Sequence, residues 1–326
     1  MTSQQIEYVL TLAEEKSFSK AAGRLYVTQP SLSQFIKNLE NELHTQIFDR
    51  STSPIRLTSA GEAFVSAARK IKAIEEELNQ QIADLTNLKT GELRIGTSPF
   101  RASCLLPKSI AKFQELYPGV TIHILEDMTH KLEEAAMEGR IDLFMGTGSF
   151  DKTIFHTEEL VEEQLYLAVP PDSQLNSGME AYQVSDQDIK LDTAKLHKTP
   201  AVDLSAFQSA QFIFLRQNQK LYTTSSEFCL SAGFNPIVVL FSERIETAFS
   251  WALAGIGSTF IPDFLIKFGN YEKHPIYYKL SHPNATRSLS IAYRKNRYLS
   301  RVAIEYIALL KQLIGYGTWF YPQYIQ

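Results

Sequence analysis

The chain has 326 residues, of which 44% are hydrophobic and 21% charged, and its net charge is −4. The length exceeds one ordinary core and implies two or three folded units, and the composition is normal for a soluble globular protein. Its two cysteines, Cys104 and Cys229, fit neither a zinc spacing nor a CxxC pair and read as buried thiols.

The N-terminal stretch MTSQQIEYVL lacks the basic and long apolar regions of an export signal. No run of eighteen apolar residues follows, so a cytoplasmic protein with no membrane partner is expected. Ile6, Val9, Leu10 and Ala13 keep the i, i+3, i+4, i+7 spacing of an amphipathic helix, with Thr2 and Ser3 as its caps. Ser19 is expected to cap a short second helix through Leu25, packed by Ala21, Ala22 and Leu25. A third helix begins in TQPSLSQFIK: Thr28 is a good N-cap, and Pro30 falls in the first turn, where its missing N–H costs little. Leu32, Ile36, Leu39 and Leu43 form its apolar stripe, while Gln29, Ser33, Gln34, Lys37 and Asn41 occupy the opposite face. Such a face suits phosphates and base edges, and taken alone it is equally an ordinary solvated face. The acidic chain as a whole argues mildly against nucleic acid, but between Lys16 and Arg56 six basic residues stand against three acids.

Two helices joined by a tight turn, the second polar in front, make a helix-turn-helix. The strand-like runs 46–48 and 55–57 would form a wing that sets Arg50 against a sugar-phosphate backbone. Leu57, Phe64, Ile71, Leu78 and Leu85 then recur every seven residues, with Ala60, Ala67, Ile74, Gln81 and Leu88 in the companion positions. A lone helix cannot bury such a seam, so self-association through Phe64, Ile71, Ile74, Leu78 and Leu85 is expected. Thr90-Gly91 is expected to end this helix.

The string SFSKAAGRLYVTQPSLSQFIKNLENEL, followed by IFDR and RLTSAGEAF, resembles the winged helix-turn-helix of LysR-type transcriptional regulators. The resemblance covers residues 2–88 and implies that Gln29, Pro30, Ser31, Ser33, Gln34 and Lys37 open a recognition helix and that Arg50 is the wing arginine. Two positions depart from the pattern. His44 stands where the family commonly has Gly after the recognition helix, and Ser53 where a second wing arginine is frequent, with Arg56 as a candidate substitute.

Beyond residue 90, strands at Leu93–Ile95, VTIHILED and 141–145 alternate with helices near 105–116 and 131–138, the pattern of a parallel sheet with right-handed crossovers. QLYLAVPP, FIFLRQ, PIVVLF and STFIP continue it, with helices near 224–232 and 244–254, and SLSIAYR with the helix 302–313 returns to the first set. This resembles, more loosely, the effector domain of the same family and its periplasmic binding-protein relatives. The expected fold is therefore multidomain, α plus α/β: a winged helix-turn-helix (1–58), a linker helix (59–90), and two lobes of periplasmic binding protein-like (type 2) architecture (91–326). Lobe I would take 91–161 and 270–315, and lobe II 162–269. The stretch 172–208 and the aromatic tail GYGTWFYPQYIQ run beyond the family's usual length.

In α/β sheets ligands sit beyond the carboxyl ends of strands, near helix starts. Here those segments are 97–101, 128–129, 146–148 and 216–219, and the resemblance points most plainly to Ser98, Phe100, Thr129 and Thr147. Hydroxyls beside helix starts suit a small carboxylate or similar anion, to which Arg101 or Arg216, with Gln217 beside it, would add polar contacts.

No HExxH, GxSxG, Walker or Rossmann signature is present, which argues against an enzyme and against any cofactor. The expected partners are double-stranded operator DNA, a small-molecule effector, further copies of the chain as homodimer or tetramer, and RNA polymerase. A small-molecule binding protein and a redox-responsive regulator are the alternatives. Cys229 sits about where peroxide-sensing members of the family carry one of two paired cysteines, but Lys220 occupies the place expected for the other.

Overall fold

The computed structural model describes residues 1–85, 90–269 and 271–315. Chain contacts group it into two units, Met1–Leu88 with Glu134–Ile141, and Lys89–Glu133 with Asp142–Gln326.

In the first unit α1 (Ser3–Glu15) starts in a capping box between Thr2 and Gln5 and ends at Lys16, whose φ of 50° is left-handed. Because α1 ends there, α2 (Phe18–Arg24) is capped by Ser17, which accepts the Lys20 N–H, and not by Ser19. Thr28 caps α3 (Gln29–Glu42) by accepting the Ser31 N–H at 3.3 Å, and Pro30 stands in its first turn. Leu32 and Ile36 are fully buried against Val9, Leu12 and Ala21, each contributing about 1.5–3 kcal/mol relative to exposure. The alanines of α2 are small because α1 and α3 both close upon that short helix.

A two-stranded wing follows, β1 (Phe48–Asp49) antiparallel to β2 (Arg56–Leu57). The buried Glu40 carboxylate holds its base, accepting the N–H groups of Ile47 (2.9 Å) and Phe48 (3.1 Å). The long helix α4 (Ser59–Leu85) then packs close enough that a Cβ at Gly61 would lie 2.1 Å from the Ile47 carbonyl oxygen, so only glycine fits.

The heptad seam divides in two along α4. Phe64, with Val65 and Ala68, belongs to the core of this unit. Ile71, Ile74, Leu78 and Ile82 are instead 42%, 67%, 55% and 52% exposed. The seam's end at Leu88 lies outside the described residues, as does the aromatic tail after Gly315.

The second unit opens with β3 (Thr90–Thr97), which starts where the linker helix was expected to finish. Then come α5 (Pro99–Cys104), α6 (Leu106–Leu116), β4 (Gly119–Glu126), α7 (Thr129–Met137), whose residues from Glu134 group with the first unit, and β5 (Leu143–Thr147). The strands β4, β3 and β5 are parallel, as expected. The fifteen-residue β6 (Phe155–Val169) then leaves for the second lobe. That lobe holds β7 (Gln183–Val184), α8 (Asp186–Lys190), α9 (Ala194–Lys198), β8 (Gln211–Leu215), α10 (Lys220–Ser231), β9 (Ile237–Ser242), α11 (Ile245–Leu253), β10 (Thr259–Pro262), α12 (Asp263–Phe268) and β11 (Ile276–Lys279).

The chain returns through β12 (Thr286–Arg294) and ends in α13 (Arg301–Gly315). Because β12 runs home against the outgoing β6, it pairs antiparallel with both β6 and β5, and the first sheet is mixed, not purely parallel. The other half of β6 pairs with β10 and β11. The strand β11 therefore belongs to the second lobe, and the return crossover falls near Thr286, not near residue 270.

The long stretch after β6 covers a sheet edge. Its β7 pairs with β11, Asn176 accepts the Tyr278 hydroxyl at 2.8 Å, and Lys279 donates to the Leu196 and Thr199 carbonyls. An otherwise open row of strand N–H and C=O groups is thereby closed.

His44 follows α3 with φ of 54°, the left-handed conformation that a glycine would adopt freely. This explains physically why a Gly is expected there. His44→Gly should be more stable than His44→Ala by about 1 kcal/mol, since only the alanine retains the left-handed penalty. Urea denaturation of the two variants side by side measures the difference; equal midpoints would show that the backbone relaxes at no cost.

Candidate functional site

Each unit carries one candidate surface. On α3 the stripe Leu32, Ile36 and Leu39 is buried, which commits the opposite side to solvent. Gln29, Pro30, Ser31, Gln34 and Lys37 are exposed and Ser33 is half-buried. Two of these side chains are held locally: Ser31 shares a 2.8 Å hydrogen bond with Thr28, and Gln34 donates to Asn38 at 2.8 Å. Gln29, Ser33 and Lys37 keep their polar groups unused. Tyr26, in the turn before α3, is 96% exposed on a left-handed backbone (φ 55°). Its exposure was not foreseeable, because an aromatic beside Leu25 and Val27 reads as core.

Arg50 is less free than a wing arginine in open solvent. One Nη donates to Glu40 at 2.7 Å, and the guanidinium lies 5.1 Å from the Phe18 ring centroid. It fastens the wing to α3 while its remaining donors stay available on a side chain 38% exposed. Arg56, on the facing strand, is exposed and sits in register with Asp49.

The second surface is a cleft of about 410 Å³ between the two lobes of the second unit, a size that holds a small metabolite. Ser98, Phe100, Arg101, Thr129 and Thr147 all line it. Arg216 and Gln217 do not: both are exposed, and Arg216 pairs with Glu243 at 3.2 Å. The chain supplies Lys220 and Arg287 to the lining instead. The helix α10 starts at Lys220, four residues before the expected 224, with no side-chain cap to announce it. The start of α11 is likewise uncapped, so both present free N–H groups beside the cleft.

Beneath the lining lies a buried ion cluster. Glu163 is fully buried and accepts Arg101 Nη2 on both oxygens at 3.1 Å, as well as Arg287 Nε. Burial alone would raise the Glu163 pKa, but the charges of Arg287 and Arg101 outweigh it and hold the carboxyl below the usual glutamate range. Arg101 is thus spent largely on Glu163, with its Nη1 on Ser98 Oγ at 3.2 Å. Ser98 therefore accepts from Arg101, and its own O–H remains to be donated. Glu163 could not be picked from the acidic run EELVEEQ, where alternation alone does not distinguish it from its neighbours.

Both thiols are poor nucleophiles here. Burial pushes the pKa of Cys229, on α10, to about 12, and that of Cys104 to about 12 despite the nearby Arg101.

Residues 3–62 match the family model for the bacterial regulatory helix-turn-helix protein, lysR family, and residues 86–314 match that for the LysR substrate binding domain. The chain is 28% identical over 313 residues to YcgK of Bacillus subtilis (strain 168), an uncharacterised HTH-type transcriptional regulator, covering 96% of this chain and 94% of that one. A second HTH-type regulator of that organism, YwbI, is 29% identical over 314 residues, covering 96% and 97%. Among solved structures, a variant of full-length OxyR from Pseudomonas aeruginosa superposes with a TM-score of 0.68 at 25% identity, over 96% of this chain and 94% of that one. Full-length CbnR complexed with its target DNA shares the fold, with a TM-score of 0.64 at 19% identity, over 97% and 100%.

Glu163→Gln should leave Arg101 and Arg287 without their buried counter-charge and destabilise the second unit by about 3–5 kcal/mol near neutral pH. The carboxylate's contribution is present above the unfolded glutamate pKa and is lost as pH falls through the lower folded value. The gap between wild type and variant should therefore narrow in acid, as read by denaturation at several pH values. A gap independent of pH would assign the loss to packing.

Proposed function

The chain belongs to the lysR family of bacterial helix-turn-helix transcriptional regulators, and from that premise we propose which of its residues read DNA, which join two copies and which bind the effector. It is a sequence-specific DNA-binding regulator whose substrate-binding domain places it under small-molecule control.

For DNA, the supporting observation is the division of α3 into a fully buried back and an exposed polar front. Gln29, Ser33 and Gln34 carry amide and hydroxyl groups able to reach base edges in a major groove. Pro30 and Ser31 open the helix, whose first N–H groups favour a phosphate. Lys37, Arg50 and Arg56 supply sequence-independent phosphate contacts, and Tyr26 adds a stacking or sugar contact at the helix start.

For assembly, the exposed row Ile71, Ile74 and Leu78 supports a homodimer through α4, with Phe64 anchoring the helix to its own unit. A tetramer would need a second interface. For the effector, Ser98, Thr129 and Thr147 with Phe100 form the cleft lining that takes a small anion, with Arg101 placed behind Ser98 as its support. The family argues for a regulator and not a catalyst, acting in the cytoplasm where operator and RNA polymerase are met. Among the described residues no helix is long and apolar enough to cross a membrane. A redox switch finds no support in two high-pKa thiols, one buried and one half-buried.

Gln29→Ala should cost roughly 1–3 kcal/mol on the specific operator and flatten discrimination against altered sites. Arg50→Ala should weaken all sequences alike and lower the salt slope by about one. Fluorescence anisotropy across a salt series checks both, with circular dichroism confirming the fold, since Arg50 also anchors the wing. Unchanged operator binding by Gln29→Ala would remove α3 from base reading.

Ile71→Asp combined with Leu78→Asp should leave the single chain's melting nearly unchanged, because both side chains are already exposed within it. Two charges facing a partner's apolar row should break the dimer. Sedimentation at micromolar protein is expected to show a smaller species with weak operator binding; a variant still dimeric there would rule out this seam.

A further inference from the structure

Lys220 and Arg287 line the cleft with most of their donor groups unspent. Lys220 Nζ makes one hydrogen bond, 3.0 Å across the cleft to the Thr147 carbonyl, an acceptor without charge. Arg287, whose side chain is 15% exposed, donates Nε to Glu163 and makes no hydrogen bond through either Nη. Buried Arg101 has no partner for its Nε. Lys220 is exposed to the solvent of the cleft, whereas a buried guanidinium such as that of Arg101 rarely leaves a donor unfilled.

The charges point the same way. Arg101, Lys220, Arg244 and Arg287 line the cavity together with Glu133, Glu243 and Glu246, and with Glu163 beneath them and Arg216 paired to Glu243 the cations exceed the carboxylates by one. The uncapped start of α10, which Lys220 itself opens, adds positive potential. Gly148 adopts φ of 114°, a conformation that favours glycine, and Lys220 Nζ lies in the space beside it, 2.1 Å from where a Cβ would stand. Partial desolvation, then the nearby Arg287 and Arg101 charges, hold the Lys220 pKa below the usual lysine value. The protein's own groups thus disfavour a charge that a bound anion would favour.

Resting on the reading of this cleft as the effector site, we propose that the effector is a small dianion, two negative charges on a skeleton of a few carbons, shared between Lys220 and Arg287. Lys220 is then the residue that sets charge specificity, and Ser98 and Thr129 position the rest of the ligand.

The test titrates the full-length protein by calorimetry, at constant ionic strength, with two matched pairs: succinate against butyrate, and glycerol 3-phosphate against glycerol. The first pair asks for a dicarboxylate and the second for a phosphate. At least one dianion is expected to bind tenfold or more tightly than its counterpart. Lys220→Met should abolish that preference while Lys220→Arg keeps most of it, and circular dichroism establishes that both variants are folded. No preference in wild type, no binding by either dianion, or a preference that survives in Lys220→Met overturns the proposal. Ser98→Ala and Thr129→Ala separate it from the reading beneath it. If they weaken both members of a pair and wild type shows no preference, the cleft stands and the dianion falls. If a dianion binds all four variants as it binds wild type, both fall.

Discussion

A carboxylate removed from water is tolerated only when cations surround it, and in this molecule one such carboxylate organises the second unit. Glu163 lies on β6, Arg287 on β12, and the two are direct partners in the antiparallel register of the crossover strands. Arg101 reaches the same carboxylate from the start of α5. The cluster therefore ties both connections between the lobes to the helix that Ser98 caps. Desolvation of an ion pair offsets much of its attraction, so the cluster adds little net stability; its consequence is geometric. It decides where Arg101 points, how much of Arg287 is left for the cleft, and which way the Ser98 hydroxyl is free to donate.

The first unit uses the same device on a smaller scale. Glu40 is buried behind α3, receives two backbone N–H groups from the start of the wing, and binds Arg50 with its other oxygen. A buried acid thus sets the position of a half-exposed wing cation. This couples stability to recognition: the arginine that would meet a phosphate also neutralises a buried charge, and its loss is felt in both. Gln29, Ser33 and Lys37 on the polar face of α3 carry no such burden, so substitutions there can be separated from folding.

The departures from the family pattern have different physical weights. His44 takes a left-handed turn that glycine would make without penalty, a local cost that the surrounding helix ends absorb. The long stretch after β6 instead does structural work, closing the β11 edge through Asn176, Gln183 and the carbonyls that Lys279 holds. Neither change touches the polar front of α3 or the lining of the cleft.

Periodicity made the first unit legible from its sequence. The stripes of α1 and α3, the Thr28 cap, Pro30 in the first turn and the seven-residue spacing of α4 are local features, and local hydrogen bonding and burial follow from them directly. The alternation of strands and helices likewise made two α/β lobes readable, together with the cleft position of Ser98, Thr129 and Thr147, since strand ends and helix starts are marked by turn residues. Three things needed the tertiary structure. Phe64 shares the heptad spacing of Ile71, yet it is core, because α1 and the wing strand β2 pack against α4 and bury Phe64, Val65 and Ala68, while Ile71 is left exposed. Arg101 and Arg216 look equivalent as loop cations, yet one is drawn to a buried glutamate sixty-two residues away and the other to a surface acid. Lys220 and Arg287 meet at one cavity only because β6 and β12 bring distant parts of the chain together. Pattern along the chain determines elements and faces; which charges share a site is decided by strand pairing across long sequence separations, and no local signal encodes it.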